Sequence, residues 1–334
     1  MFPSMPNDDP WDAEASQQVA RLNPGRPKAG FYGAVPDEDE AGTPSPDAEG
    51  EEEFEEIEIL PVRPKLSAAI GGFAVLLAVA LIIGGHATGP GARVSYAIVL
   101  FGVQLLGLLA WTMALQPPAA GATAAIIAVT ALAADYLAVT GEPGELLPLV
   151  WVALGGFVAA MIAQVIRAED RQRAKDSWRT TLLIVSGATA YAVLITLVRE
   201  PLGAPAILVC CTGAGVALLV ARLTDAVFPK PRIAAQVPRG AAGIVLGAML
   251  GTLTSAVLGS YLVFPFDPTK GAVLGLVAAV AAHLVDLAVN FGEAGRRLAG
   301  DAPTFWLARH MQGPLGGFAL TAVAAYASVH WYLS

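Results

Sequence analysis

The chain has 334 residues, of which 55% are hydrophobic and only 14% charged, and its mean hydropathy is +0.59. Soluble domains carry about a quarter charged residues, so composition excludes an ordinary water-soluble enzyme. The charge is also divided. Residues 1–65 hold 16 acidic and 5 basic residues, a net of −11, whereas residues 66–334 carry a net of +3. The chain reads as an acidic arm joined to a polytopic membrane body.

The arm, residues 1–62, is dominated by Pro, Gly, Asp, Glu and Ser and ends in Glu51–Glu52–Glu53–Phe54–Glu55–Glu56–Ile57–Glu58. Such a stretch buries too little apolar surface to offset its ordering entropy, so it is predicted to be disordered. Within it, Asp9–Pro10–Trp11 through Leu22 has a cap, a proline at the first helical position and an Asn23–Pro24–Gly25 stop. It reads either as a short helix that docks on a cytoplasmic partner or as a fluctuating turn. The acidic run repels anionic headgroups and argues against nucleic-acid binding. No apolar h-region precedes residue 66, so the first span is expected to act as its own insertion signal.

The body, residues 63–334, contains hydrophobic windows long enough to cross a ~30 Å core. They fall at 66–87, 92–115, 118–140, 146–166, 180–198, 203–227, 239–263, 270–291 and 313–333. The expected fold is therefore all-α and integral to the membrane, about nine spans in a compact bundle. Small residues at i, i+4, as at Gly243, Gly247 and Gly251, let helix backbones approach closely, and a homodimer is compatible with such faces. Cys210 and Cys211 are adjacent in an apolar run and read as small core residues.

Basic residues in short loops set the orientation. Arg167, Arg171, Arg173, Lys175 and Arg179 lie between spans four and five. Lys230, Arg232 and Arg239 lie between six and seven, with Arg222 just before. Arg296, Arg297 and Arg309 lie between eight and nine. The alternate loops are poor in positive charge, which predicts a multi-pass plasma-membrane protein with a cytoplasmic N-terminus and an external C-terminus.

Ionisable residues inside spans are costly and mark functional candidates. Asp135 is expected near the outer end of span three, within reach of water. Asp225 has Arg222 three residues earlier on the same helix face, which suits an ion pair. In span eight, His283, Asp286 and Asn290 fall at i, i+3 and i+7 and form one polar stripe turned to the bundle or a cavity. The stripe suits a proton relay, a divalent-ion site or a buried packing pair. At the predicted cytoplasmic ends, Asp225 and Asp286 stand among Arg232, Arg239, Arg296, Arg297 and His310. That mixture suits an anionic ligand, with a metal ion held between acid and phosphate.

The last 110 residues or so resemble the CDP-diacylglycerol synthase (phosphatidate cytidylyltransferase) family. The shared order is Thr224–Asp225–Ala226, then Pro231–Arg232–Ile233 and Val237–Pro238–Arg239–Gly240. Val285–Asp286–Leu287 stands in place of Gly-Asp-Leu, followed by Arg296–Arg297 and the segment His310 to Ala319. The resemblance implies a bundle of about nine spans, Mg²⁺ held by Asp225 and Asp286, and phosphate or lipid-headgroup contacts from Arg232, Arg239, Arg296, Arg297 and His310. The family's two closing acids have no counterpart between His310 and Ala319, and the Lys-Thr of its basic loop is absent. Mg²⁺ depends on carboxylates and phosphates for ligands, so their loss points to a degenerate relative. It is expected to bind phosphatidic acid or another anionic phospholipid, or to scaffold a partner, without catalysis. Two alternatives stand beside it: an active CTP- and Mg²⁺-dependent nucleotidyltransferase, and a small-solute or ion transporter.

Overall fold

The structure, a computed structural model, describes residues 62–87, 92–167, 171–301 and 305–333. The expectations for the arm, including the helix from Asp9 to Leu22, lie outside the described residues. Among the described residues the body is built of helices joined by loops, with no named strand. In chain order the helices are α1 (Pro64–Gly85), α2 (Ala92–Leu115), α3 (Ala120–Thr140), α4 (Leu147–Arg167) and α5 (Arg171–Asp176). These are followed by α6 (Trp178–Ala190), α7 (Ala192–Val198), α8 (Gly203–Val227), α9 (Ala241–Tyr261), α10 (Pro268–Leu298) and α11 (Trp306–Ser328), which runs into a π-helical turn, Val329–Leu333. Because lipid offers no hydrogen bonds to a backbone, a long apolar run has one economical solution, the helix.

Among the described residues, eight helices are long and apolar enough to cross a membrane, with α6 and α7 acting as one span, Trp178–Val198. The ninth hydrophobic window falls on α11, which is 23 residues long but carries Gln312, Gly313 and Pro314 in its middle. Those residues lower its hydropathy below that of the other eight. It is nonetheless embedded, with Leu315, Phe318, Ala319, Ala322 and Ala325 all buried.

Packing centres on α8, which lies against α1, α9 and α10. Its buried face includes Cys210 and Cys211, both free thiols, as expected of core residues. The buried residues of α9 are Gly243, Gly247, Gly251, Ser255 and Gly259, a small residue at every fourth position. Its opposite face exposes Val245, Met249, Leu253 and Val257. Lipid and leucine are equally apolar, so helices in a bilayer associate through close packing rather than hydrophobic drive. The glycine stripe supplies that packing. A Cβ on Gly271 of α10 would lie 3.0 Å from Gly259 Cα, so the two backbones are nearly in contact.

At 31 residues, α10 is about 46 Å long and outruns the ~20 residues a crossing needs. Its start is fixed by Asp267, whose Oδ1 accepts the Lys270 N–H at 2.8 Å, with Pro268 in the first turn. Asp267→Ala is expected to lower stability by ~1 kcal/mol, read as a lower midpoint in fluorescence-detected unfolding. An unchanged midpoint would show that other contacts fix this end. Asp135 departs from expectation. It is buried, and its Oδ1 accepts a 2.7 Å hydrogen bond from Gln104 Nε2 inside the bundle.

Candidate functional site

The end of α8 and the loop 228–240 build the centre. The loop folds back on itself: Ile233 N–H donates to the Arg239 carbonyl at 3.1 Å, and Ala241 N–H to the Pro231 carbonyl at 2.9 Å. Arg232 and Gly240 form an antiparallel bridge at its neck. The fold-back carries Arg239 into the bundle, where it has no solvent exposure. Its Nη1 donates to Asp225 Oδ2 at 2.5 Å, and the Gly240 N–H donates to Asp225 Oδ1 at 2.9 Å. Its Nη2 lies 3.1 Å from Asp286 Oδ2, an ion pair without hydrogen-bond geometry. Arg222 Nη2 donates to Asp286 Oδ1.

Two acids and two arginines thus alternate in one buried, electrically neutral chain: Asp225, Arg239, Asp286, Arg222. Glycines make room for it, because a Cβ at Gly243 would strike Asp225 Oδ1 and one at Gly313 would strike Asp286 Oδ1. The i, i+3 pair expected between Arg222 and Asp225 does not form. Arg222 crosses to Asp286 on α10, and Asp225 takes Arg239 instead.

A second charge cluster surrounds Glu293, two turns farther along α10. Its carboxylate accepts from Arg296 Nη2 and, at 3.0 Å, from Arg309 Nη1, and it lies 3.3 Å from Arg297 Nε. Arg296 also donates to the Ala114 carbonyl on α2. Three guanidinium groups around one carboxylate leave a positive excess, unlike the first cluster.

A cavity of about 50 Å³ is lined by Arg222 and Asp286 of the first cluster and by Glu293, Arg297 and Arg309 of the second. Gln236, Asn290 and His310 complete its polar wall. Three of these residues carry a buried nitrogen with no hydrogen-bond partner: Arg222 Nε, Arg309 Nε and His310 Nε2. His310 stands edge-on to Trp306, with ring centroids 5.5 Å apart.

The sequence-predicted residues therefore separate into groups. Asp225, Asp286 and Arg239 meet inside the bundle. Arg297, His310 and Asn290 line the cavity, and Asn290 Nδ2 also donates to the Asp286 carbonyl at 2.6 Å. Arg296 is turned to α2, and Arg232 lies at the loop neck and does not line the cavity. His283 is buried, and neither ring nitrogen has a hydrogen-bond partner. Sequence reasoning did not single out Glu293, although its spacing to Arg296 and Arg297 is the usual one for helical ion pairs.

The donor set does not suit Mg²⁺. Each of the four carboxylate oxygens of Asp225 and Asp286 already faces a guanidinium or an amide N–H. Among the described residues, no three of His, Cys, Asp and Glu converge as a ligand set. No protein-family model, curated protein or solved structure matches the chain. Fold and site together define, over the described residues, an all-helical body with eight helices long and apolar enough to cross a membrane and a mixed-charge cavity at the arginine-rich end of the bundle.

Proposed function

We propose that this chain is a multi-pass plasma-membrane protein that holds the phosphate of an anionic phospholipid, such as phosphatidic acid, without transferring a nucleotide to it. One observation carries the reading. The cavity is lined by Arg222, Arg309 and His310, each with a buried side-chain nitrogen that has no hydrogen-bond partner, while Asp225 and Asp286 are occupied by internal arginines. Arginine forks bind phosphate oxygens through charge-assisted hydrogen bonds. The basic loops support a cytoplasmic location for this end of the bundle. The motif order from Asp225 to His310 further supports descent from a CDP-diacylglycerol-synthase-like bundle. On the same reading the acidic arm is cytoplasmic, and its partner is a cytoplasmic protein.

Native mass spectrometry of detergent-purified full-length protein tests this. Phosphatidic acid is expected to remain bound while phosphatidylcholine is lost. Arg309→Gln is expected to weaken retention about tenfold, the loss of one charged hydrogen bond. Equal retention of the two lipids overturns the headgroup reading. Formation of CDP-diacylglycerol from CTP and phosphatidic acid, above a heat-inactivated control, replaces it with an active nucleotidyltransferase.

A further inference from the structure

We infer that Asp135 and Gln104 form a proton-binding site between α2 and α3: Asp135 is held as a neutral carboxylic acid, joined to the Gln104 amide by a two-point ring of hydrogen bonds. This goes beyond the lipid reading and does not rest on it.

The site is remote from the charge clusters. Arg296 reaches the Ala114 carbonyl, so the end of α2 and the start of α3 lie beside those clusters. Asp135 stands toward the other end of α3, ~22 Å along its axis from Ala120. It is 2% exposed, and Gln104 on α2 is 1% exposed. Gln104 Nε2 donates to Asp135 Oδ1 at 2.7 Å. Among the described residues, the carboxyl group makes no other hydrogen bond and no ion pair.

No positive charge is brought to it. Helix α3 packs against α2, α4, α6 and α7. On those helices Arg93, Arg167 and Arg179 are exposed near helix ends, as is Tyr136 beside Asp135 itself. Tyr96 packs on Gly84 of α1, and the Tyr191 hydroxyl donates to the Leu315 carbonyl at 2.5 Å. Arg199, at the end of α7, donates its Nη1 to the Ala138 carbonyl at 2.8 Å and forms no ion pair with Asp135. A carboxylate left in a dry bundle with one neutral donor is strongly unfavourable, and such a group neutralises instead.

Two orphaned atoms mark where the proton goes. Asp135 Oδ2 and Gln104 Oε1 are both buried, and neither has a hydrogen-bond partner. Both are acceptors, so neither can satisfy the other. A proton taken from solvent onto Oδ2 makes that atom a donor to Oε1. The N–H half of an acid–amide ring is already in place at 2.7 Å. The proton supplies the O–H half and removes the charge in the same step.

Infrared spectroscopy of full-length protein in detergent, in neutral buffer, tests the site. Wild type minus Asp135→Asn is expected to show the C=O stretch of one protonated carboxyl group, shifted down in D₂O as its O–H becomes O–D. In Gln104→Leu the band should persist and move to higher frequency, because the acid's carbonyl has lost its N–H donor. Isotopic labelling of aspartate carboxyl carbons reads the same band in the unaltered chain, so the test does not depend on any variant folding. The inference is overturned if the difference spectrum shows only the paired stretches of an ionised carboxylate, or if labelling moves no band in the carboxylic-acid region. An acid band that Gln104→Leu leaves unmoved also overturns it, since the proton is then not shared with the amide. None of these outcomes touches retention of phosphatidic acid, so the two readings fail separately.

Discussion

Asp286→Leu is expected to remove about 3–5 kcal/mol of stability and to leave little folded protein in the membrane. The reason lies in what remains behind. Asp286 is the shared partner of Arg222 and Arg239, and both arginines are buried. Without it, Asp225 is left to balance two guanidinium groups in a medium that solvates neither. The contrast is a combined replacement of Asp225, Asp286, Arg222 and Arg239 by apolar residues of similar volume. Buried ion networks are often neutral to replace as a whole, so the quadruple variant should melt close to wild type. Unfolding midpoints followed by size-exclusion fluorescence decide it. A single variant that melts like wild type would mean that water already reaches the network and screens it.

The same network shows what the sequence makes visible and what it hides. Helix limits are visible: the windows at 92–115 and 203–227 coincide with Ala92–Leu115 and Gly203–Val227. They do so because, in lipid, apolar composition and backbone hydrogen bonding demand the same thing. The i, i+4 glycines of α9 are visible too, and they are its buried face. Partner choice is not visible. Spacing alone pairs Arg222 with Asp225, since both lie on one face of α8. Only the return of the loop 228–240 hands Asp225 to Arg239 and frees Arg222 for α10. Arg239 reads as a headgroup contact because it stands in a basic loop, and nothing local reports that this loop turns inward. Glu293 shows the reverse: its two helical partners are legible from spacing, but Arg309 reaches it from the next helix. Asp135 lies five residues from the end of α3, which suggests water, yet Gln104 from α2 covers it. At Asp225, Arg222 and Asp135 a contact distant in sequence overrides a sound local expectation, and at Glu293 one is added to it.

Gly213→Val carries the second large effect, expected at ~3 kcal/mol or more of destabilisation. Gly213 faces the seam where α8, α9 and α10 meet. A Cβ there would lie 2.7 Å from Ser255 Oγ, 3.0 Å from Gly275 Cα and 3.1 Å from the Gly275 carbonyl oxygen. Two of those three atoms are backbone, so no rotamer change relieves the clash and α10 must move. Ser255 has its own constraint, because its hydroxyl donates to the Val209 carbonyl at 3.1 Å. A displaced α10 also takes Asp286 away from Arg222 and Arg239, so the packing defect becomes an electrostatic one. Gly102 and Gly155 are the controls, since a Cβ on either meets nothing within 4 Å. Alanine at those positions should raise stability by up to ~1 kcal/mol through helix propensity alone. Opposite signs for chemically similar substitutions would place the stability of this bundle in its α8–α9–α10 seam. If Gly213→Val instead melts like Gly102→Ala, the three helices are less tightly packed than their backbone spacing requires.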